Sequence, residues 1–92
     1  IHHINDIMNK FSATPNQKKE VIELYKRTKN RSSKLNRARP QSYACSLVYY
    51  YILSKKMDIS LKKFAQKADL SELTISKNAK EVAAILGTPE LL

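Results

Sequence analysis

The segment PQSYACSLVYYYILSKK, residues 40–56, constrains the fold more than any other part of the chain. Tyr43, Ala44, Leu47, Val48, Tyr51 and Ile52 form one face of a helix, and Cys45, Tyr49 and Leu53 carry apolar character round much of the rest. A helix that is apolar on most sides belongs at the centre of a bundle, because each face needs a neighbour to cover it. Three consecutive tyrosines could serve as stacking platforms for bases. Successive helix positions point about 100° apart, so core positions are expected for most of them, with hydroxyls reaching an edge. Cys45 reads as a small buried residue, since no nearby histidine or acid could activate it as a nucleophile.

The flanking sequence supplies helices to surround that centre. Ile1, Ile4, Met8 and Phe11 recur at i, i+3, i+7 and i+10, which predicts a short first helix. Thr14-Pro15-Asn16-Gln17 reads as a helix start, with a capping threonine, a proline at the first turn and a glutamine placed for a capping box. The helix that follows turns Val21, Leu24 or Tyr25, and Thr28 inward, and is expected to fray after about Asn30. Arg31–Arg39, reading RSSKLNRAR, shows no periodicity and is expected to be a loop. Beyond a short connection at Met57-Asp58-Ile59, Ser60 caps a compact helix with Leu61, Phe64, Ala65 and Ala68 on one stripe. Ser71 caps another that turns Ile75, Ala79, Val82 and Leu86 (with Ile85) inward and ends at Gly87 and Pro89. With no strand pattern and one glycine in 92 residues, the expectation is an all-α chain of five helices. It forms a single domain over residues 1–92. The first residue is Ile1 rather than Met, which suggests a fragment of a longer protein.

Charge narrows the function classes. Seventeen Lys and Arg against eight Asp and Glu give a formal net charge of +9. Between Leu24 and Met57 there are nine basic residues (Lys26, Arg27, Lys29, Arg31, Lys34, Arg37, Arg39, Lys55 and Lys56) and no acid. The other eight bases match the eight acids, so the net charge lies wholly in this window. A one-signed, arginine-containing cluster favours phosphate polyanions and salt-dependent binding. Lys26, Arg27, Lys29, Arg31, Lys34, Arg37 and Arg39 are the candidate contacts to a DNA backbone.

The last two helices add a second candidate surface. SLKKFAQKADLSELTISKNAKEV has the layout of a helix-turn-helix: a short helix, a turn, and a capped second helix. Ala65 is small where the helices would cross, and Leu70 can plug the space beneath the turn. Ser71, Glu72, Leu73, Thr74, Ser76, Lys77 and Asn78, with Lys80 beyond, lie at or near the start of the second helix, where side chains can approach groove edges and phosphates. Asn78 has the chemistry to read adenine.

Read together, ARPQSYACSLVYYYILSKK and ISLKKFAQKADLSELTISKNAKEVAAI resemble a cyclin-type repeat of the transcription factor IIB family. Pro40, Ser42, Ala44, Cys45, Ser46, Val48 and Tyr49 fill the places of that family's central-helix motif. Lys63-Phe64-Ala65 and Leu73-Thr74-Ile75 are similar to its next two elements. The resemblance covers Thr14 to Leu92, with residues 1–12 as the first helix. It implies a five-helix cyclin-like bundle with a C-terminal helix-turn-helix, closest to the second, DNA-contacting repeat. The implied activity is contact with promoter DNA beside the TATA-binding protein and recruitment of RNA polymerase. The family's base-reading positions fall on Leu73 and Ser76; an arginine is common at the second, and its absence weakens the expected base specificity. Asp69 stands in the turn where a glycine is frequent. The Lys-, Asn- and Tyr-rich composition points to a divergent member, such as a late transcription factor of a large DNA virus. The nucleus or a cytoplasmic viral factory is the matching location.

Other classes fit less well. A cyclin-box module that docks a peptide or kinase would need exposed apolar anchors, where the window offers Lys and Arg. An enzyme would need a Gly-rich phosphate loop, a metal cluster or a nucleophile with its base, and none of these is present in the sequence. No small-molecule substrate or cofactor is expected. His2 and His3 are adjacent rather than i, i+4, so they do not form a metal pair on one helix face. No apolar run approaches the roughly 20 residues that span a bilayer, and a single cysteine forms no internal disulfide. A reducing, intracellular compartment follows as the expectation.

Overall fold

The computed structural model describes residues 2–91; Ile1, Leu92 and the His2 side chain, which the sequence reading invoked, lie outside the described residues. The described chain is all-α. In order come α1 (His2–Lys10), α2 (Pro15–Thr28), α3 (Ser33–Arg37), α4 (Pro40–Ser54), α5 (Leu61–Ala68) and α6 (Glu72–Ile85), then a single 3-10 turn, Pro89–Leu91.

Local chemistry sets these boundaries. Thr14 and Gln17 form the expected reciprocal capping box: the Gln17 N–H donates to the threonine hydroxyl at 3.1 Å and the Thr14 N–H to the glutamine side chain at 2.8 Å. Ser60 and Ser71 accept from the Lys63 and Thr74 amides and cap α5 and α6. Pro40 starts α4, with Arg39 before it supplying no side-chain cap. At the end of α6, the Thr88 amide donates to the Ala83 carbonyl at 2.9 Å and Gly87 donates to Ala84 at 3.3 Å, closing the helix with Gly87 at φ +76°. Asp69 takes the same left-handed conformation, φ 58°, at the end of α5. This is the place where glycine was expected, and a short acid tolerates it better than most side chains.

α4 is the centre of the molecule. Its residues 42–52 are all buried, eleven in a row, as its nearly uniform apolarity requires. At about 1.5 Å per residue its 15 residues run ~22 Å, most of the 30 × 25 × 24 Å molecule. α1, α2 and α6 pack along it, and Val21, Phe64, Ile75 and Val82 complete the core with Ile4, Ile7 and Met8. The tyrosines reach partners at the core's edge. Tyr43 shares a 2.5 Å hydrogen bond with Thr28, Tyr50 shares one of 2.6 Å with Thr88, and Tyr51 donates to the Glu20 carboxylate. Burial raises the Tyr43 and Tyr49 hydroxyl pKa values above the usual range. Burial, with the adjacent Glu20 carboxylate, takes Tyr51 up to about 12. Cys45 is buried in the same core, and burial pushes its thiol up to about 11.

The expectation of five helices is corrected at Arg31–Arg39. The middle of that segment is the helix α3, not a loop, so the described residues contain six α-helices. The reason is local. Ser32 caps it by accepting from the Leu35 amide at 3.3 Å, and Leu35 is driven into the core at 1% exposure. A single apolar side chain in five residues leaves no periodicity to read. α2 ends two residues earlier than the expected fraying point, with Asn30 left-handed at φ 60°.

Candidate nucleic-acid interface

α3 matters because of where it lies. It packs against α6, and the two helices form the walls of an open cleft of about 620 Å³. Lys34, Arg37 and Arg39 line it from the α3 side, and Thr74, Lys77 and Asn78 from α6, with Leu70 and Ser42 also on its surface. Six of the residues singled out in two separate parts of the sequence thus meet in one concavity. Four of them are cations.

The α6 contribution is a stripe. Thr74, Lys77, Asn78 and Glu81 recur at i, i+3, i+4 and i+7, so they stand above one another on one side of the helix. The opposite side, carrying Ile75, Ala79, Val82 and Ala83, is buried. At about 100° per residue, Leu73 stands roughly 90° round the helix from the cleft stripe and Ser76 roughly 150°. Leu73 is 78% exposed, the one exposed large hydrophobic among the described residues. The two positions that the resemblance implies for base reading are therefore on other faces of α6 than the basic cleft. Ser71 and Glu72 border a shallower depression between α5 and α6, together with Thr74, Lys62 and Asp69. The Ser71 hydroxyl is engaged there: it accepts the Thr74 amide and donates to the Thr74 hydroxyl at 2.7 Å. Glu72 sits in the first turn, where its charge suits the helix dipole.

The remaining basic residues do not join this cleft. Lys29 lines a separate cavity of about 220 Å³ on the other flank of α3, with Tyr25, Leu35, Asn36 and Tyr43. Lys26 lies 3.5 Å from Glu23 in an exposed pair on α2, and Arg27 and Arg31 are exposed and line neither concavity. Lys55 and Lys56 lie past the other end of α4, some 22 Å from Arg39 by helix rise. Lys55 stands near Glu20 and over the Tyr51 ring. The acid-free window of the sequence is accordingly divided among at least three surfaces.

Glu81, which lines the cleft, and Ser32, its partner at the start of α3, were not singled out from the sequence. Ser32 donates to the Glu81 carboxylate at 2.8 Å across 49 residues of chain, while also capping α3. Glu81 is the one acid among the described residues lining the cleft. The capping signal of Ser32 was readable beforehand, being a serine three residues before the only large apolar side chain of the segment. The partnership with Glu81 had no local signal.

No cluster of three or more metal-ligating side chains occurs among the described residues, and no helix among them is long and apolar enough to cross a membrane. No protein-family model, curated protein or solved structure matches the chain. The functional reading is therefore carried by the cleft itself.

Proposed function

We propose that this chain is a DNA-binding domain of a transcription initiation factor similar to transcription factor IIB. In this reading α5, the Asp69–Ser71 turn and α6 act as a helix-turn-helix within a cyclin-like bundle. The single observation that carries the proposal is the meeting of Lys34, Arg37 and Arg39 with Lys77 and Asn78 across one cleft. Four cations facing a shared groove, two of them the arginines at and just past the end of α3, suit a phosphodiester strand, because each can neutralise a phosphate and release its counterion.

A duplex would seat one strand between α3 and α6 and bring the exposed N-terminal turn of α6, led by Leu73, toward the major groove. Backbone contacts then dominate affinity, and sequence preference is modest, since the cations grip phosphate rather than base edges. The TATA-binding protein and RNA polymerase are the further partners that the resemblance implies. A peptide-docking module is the competing reading; a lone exposed leucine offers no cluster of apolar anchors for it.

The test is fluorescence anisotropy on AT-rich promoter and scrambled duplexes at several salt concentrations. The proposal expects binding to both, weakening steeply as salt rises. Absence of binding at low salt would overturn it.

A further inference from the structure

An acid has no evident place in a groove that binds phosphate, yet Glu81 lines this one and is held there. Its carboxylate accepts from the Ser32 hydroxyl at 2.8 Å, and that same hydroxyl accepts the Leu35 amide at the start of α3. One side chain thus joins the cap of the cationic helix to Glu81, the last residue of the α6 stripe that begins at Thr74. α3 has five residues, too few to persist in water without tertiary support. Leu35 fixes it to the core as a single point of attachment, and Ser32–Glu81 is the second, on the cleft side. With two attachments, rotation of α3 about its own axis is blocked, and the direction of Lys34 and Arg37 is set.

We infer that Ser32 and Glu81 are positioning residues for DNA binding. The hydrogen bond between them fixes the width of the cleft, while the charge of Glu81 holds affinity below what the four cations alone would give. This rests on the DNA-binding reading above. The two roles act in opposite directions and can be separated by chemistry. Glutamine keeps an oxygen that accepts from Ser32 but removes the charge; alanine removes both. The charge role predicts that Glu81→Gln binds duplex DNA more tightly, by about threefold, the size of one partly screened contact. The clip role predicts that Glu81→Ala binds about fivefold more weakly than Glu81→Gln, the loss expected when one hydrogen bond that orders a segment is removed.

The experiment is a double-mutant cycle on the whole chain, read as the dissociation constant for one duplex at fixed low salt, with far-UV circular dichroism confirming that each variant is folded. The variants are Ser32→Ala, Glu81→Gln, Glu81→Ala and the combinations of Ser32→Ala with each Glu81 change. Ser32→Ala should weaken binding about fivefold in the wild-type and Glu81→Gln backgrounds. In the Glu81→Ala background the loss should be smaller, because the bond to Glu81 is already gone and Ser32→Ala then removes only the cap on the Leu35 amide. Ser32→Thr, which retains the hydroxyl, should restore most of the affinity. Equal affinities for Glu81→Gln and Glu81→Ala, or a Ser32→Ala loss that is the same in all three backgrounds, would overturn the inference while leaving wild-type DNA binding intact. A wild-type chain that does not bind at low salt would instead overturn the reading on which the inference rests.

Discussion

Truncating Leu35 tests whether α3 is a packed element. The side chain is 1% exposed in a helix that has no other buried residue. Burying a leucine contributes about 1.5–3 kcal/mol, and Leu→Ala in a core costs roughly 2–5 kcal/mol once the cavity is included. A short helix at the surface can settle partly into the space left behind, so the lower part of that range applies, about 2–3 kcal/mol. For 92 residues, total stability is on the order of 5–14 kcal/mol, so the loss is a sizeable fraction. At roughly 4–8 °C per kcal/mol for a domain of this size, Leu35→Ala should lower Tm by about 10–20 °C. Urea and thermal unfolding followed by far-UV circular dichroism, with the exposed neighbour Asn36→Ala as control, provide the comparison. The control should stay within about 0.5 kcal/mol of wild type. A Leu35→Ala variant no less stable than Asn36→Ala would show that residues 31–39 behave as a loop. The cleft would then lack a fixed wall on its α3 side.

Three further outcomes follow from other parts of the fold. Lys56, two residues past the end of α4, has φ 55°, a conformation that disfavours a Cβ, so Lys56→Gly should raise stability by about 0.5–1 kcal/mol in the same unfolding assay; a decrease would contradict the backbone account. Tyr51, with its pKa raised from 10.0 to about 12, contributes stability that is complete below pH 10 and lost as pH rises toward 12, because the unfolded chain releases that proton first. Alkaline unfolding should therefore steepen across pH 10–12 and be shallower in Tyr51→Phe; identical profiles would remove Tyr51 as a cause. Cys45, buried and with its thiol pushed up to about 11, should react with a thiol reagent at pH 8 only as fast as the chain opens, and rapid labelling without denaturant would contradict its burial.

What the sequence disclosed was mostly local. The Thr14–Gln17 box, the Ser60 and Ser71 caps and the Gly87 stop involve residues within a few positions of one another, and the structure bears each out. The central place of α4 was equally legible, because a segment apolar on every side has one place to go. Leu35 was different. One apolar residue in a polar, basic run carries no period, and its burial depends on a core built by helices elsewhere in the chain. The candidate site was half legible for a related reason. Composition marked the cations, and only the position of α3 decides that Lys34, Arg37 and Arg39 face α6 while Lys29 faces the opposite flank. Glu81 was hidden by distance along the chain. Nothing near it in sequence marks it as the partner of Ser32, 49 residues away.

The central claim is that the α3–α6 cleft, rather than positive charge in general, binds DNA. Two charge-matched variants compare them directly: Lys34, Arg37, Arg39 and Lys77 all changed to Ala, against the exposed Lys10, Lys19, Lys55 and Lys56 all changed to Ala. With affinity for one duplex followed by anisotropy across a salt series, the cleft variant should lose about one unit of salt slope per cation removed, and most of its affinity on every sequence. The second variant should keep nearly the wild-type slope. Equal losses in the two would contradict the claim and reduce the charge of this chain to a diffuse attraction for any polyanion.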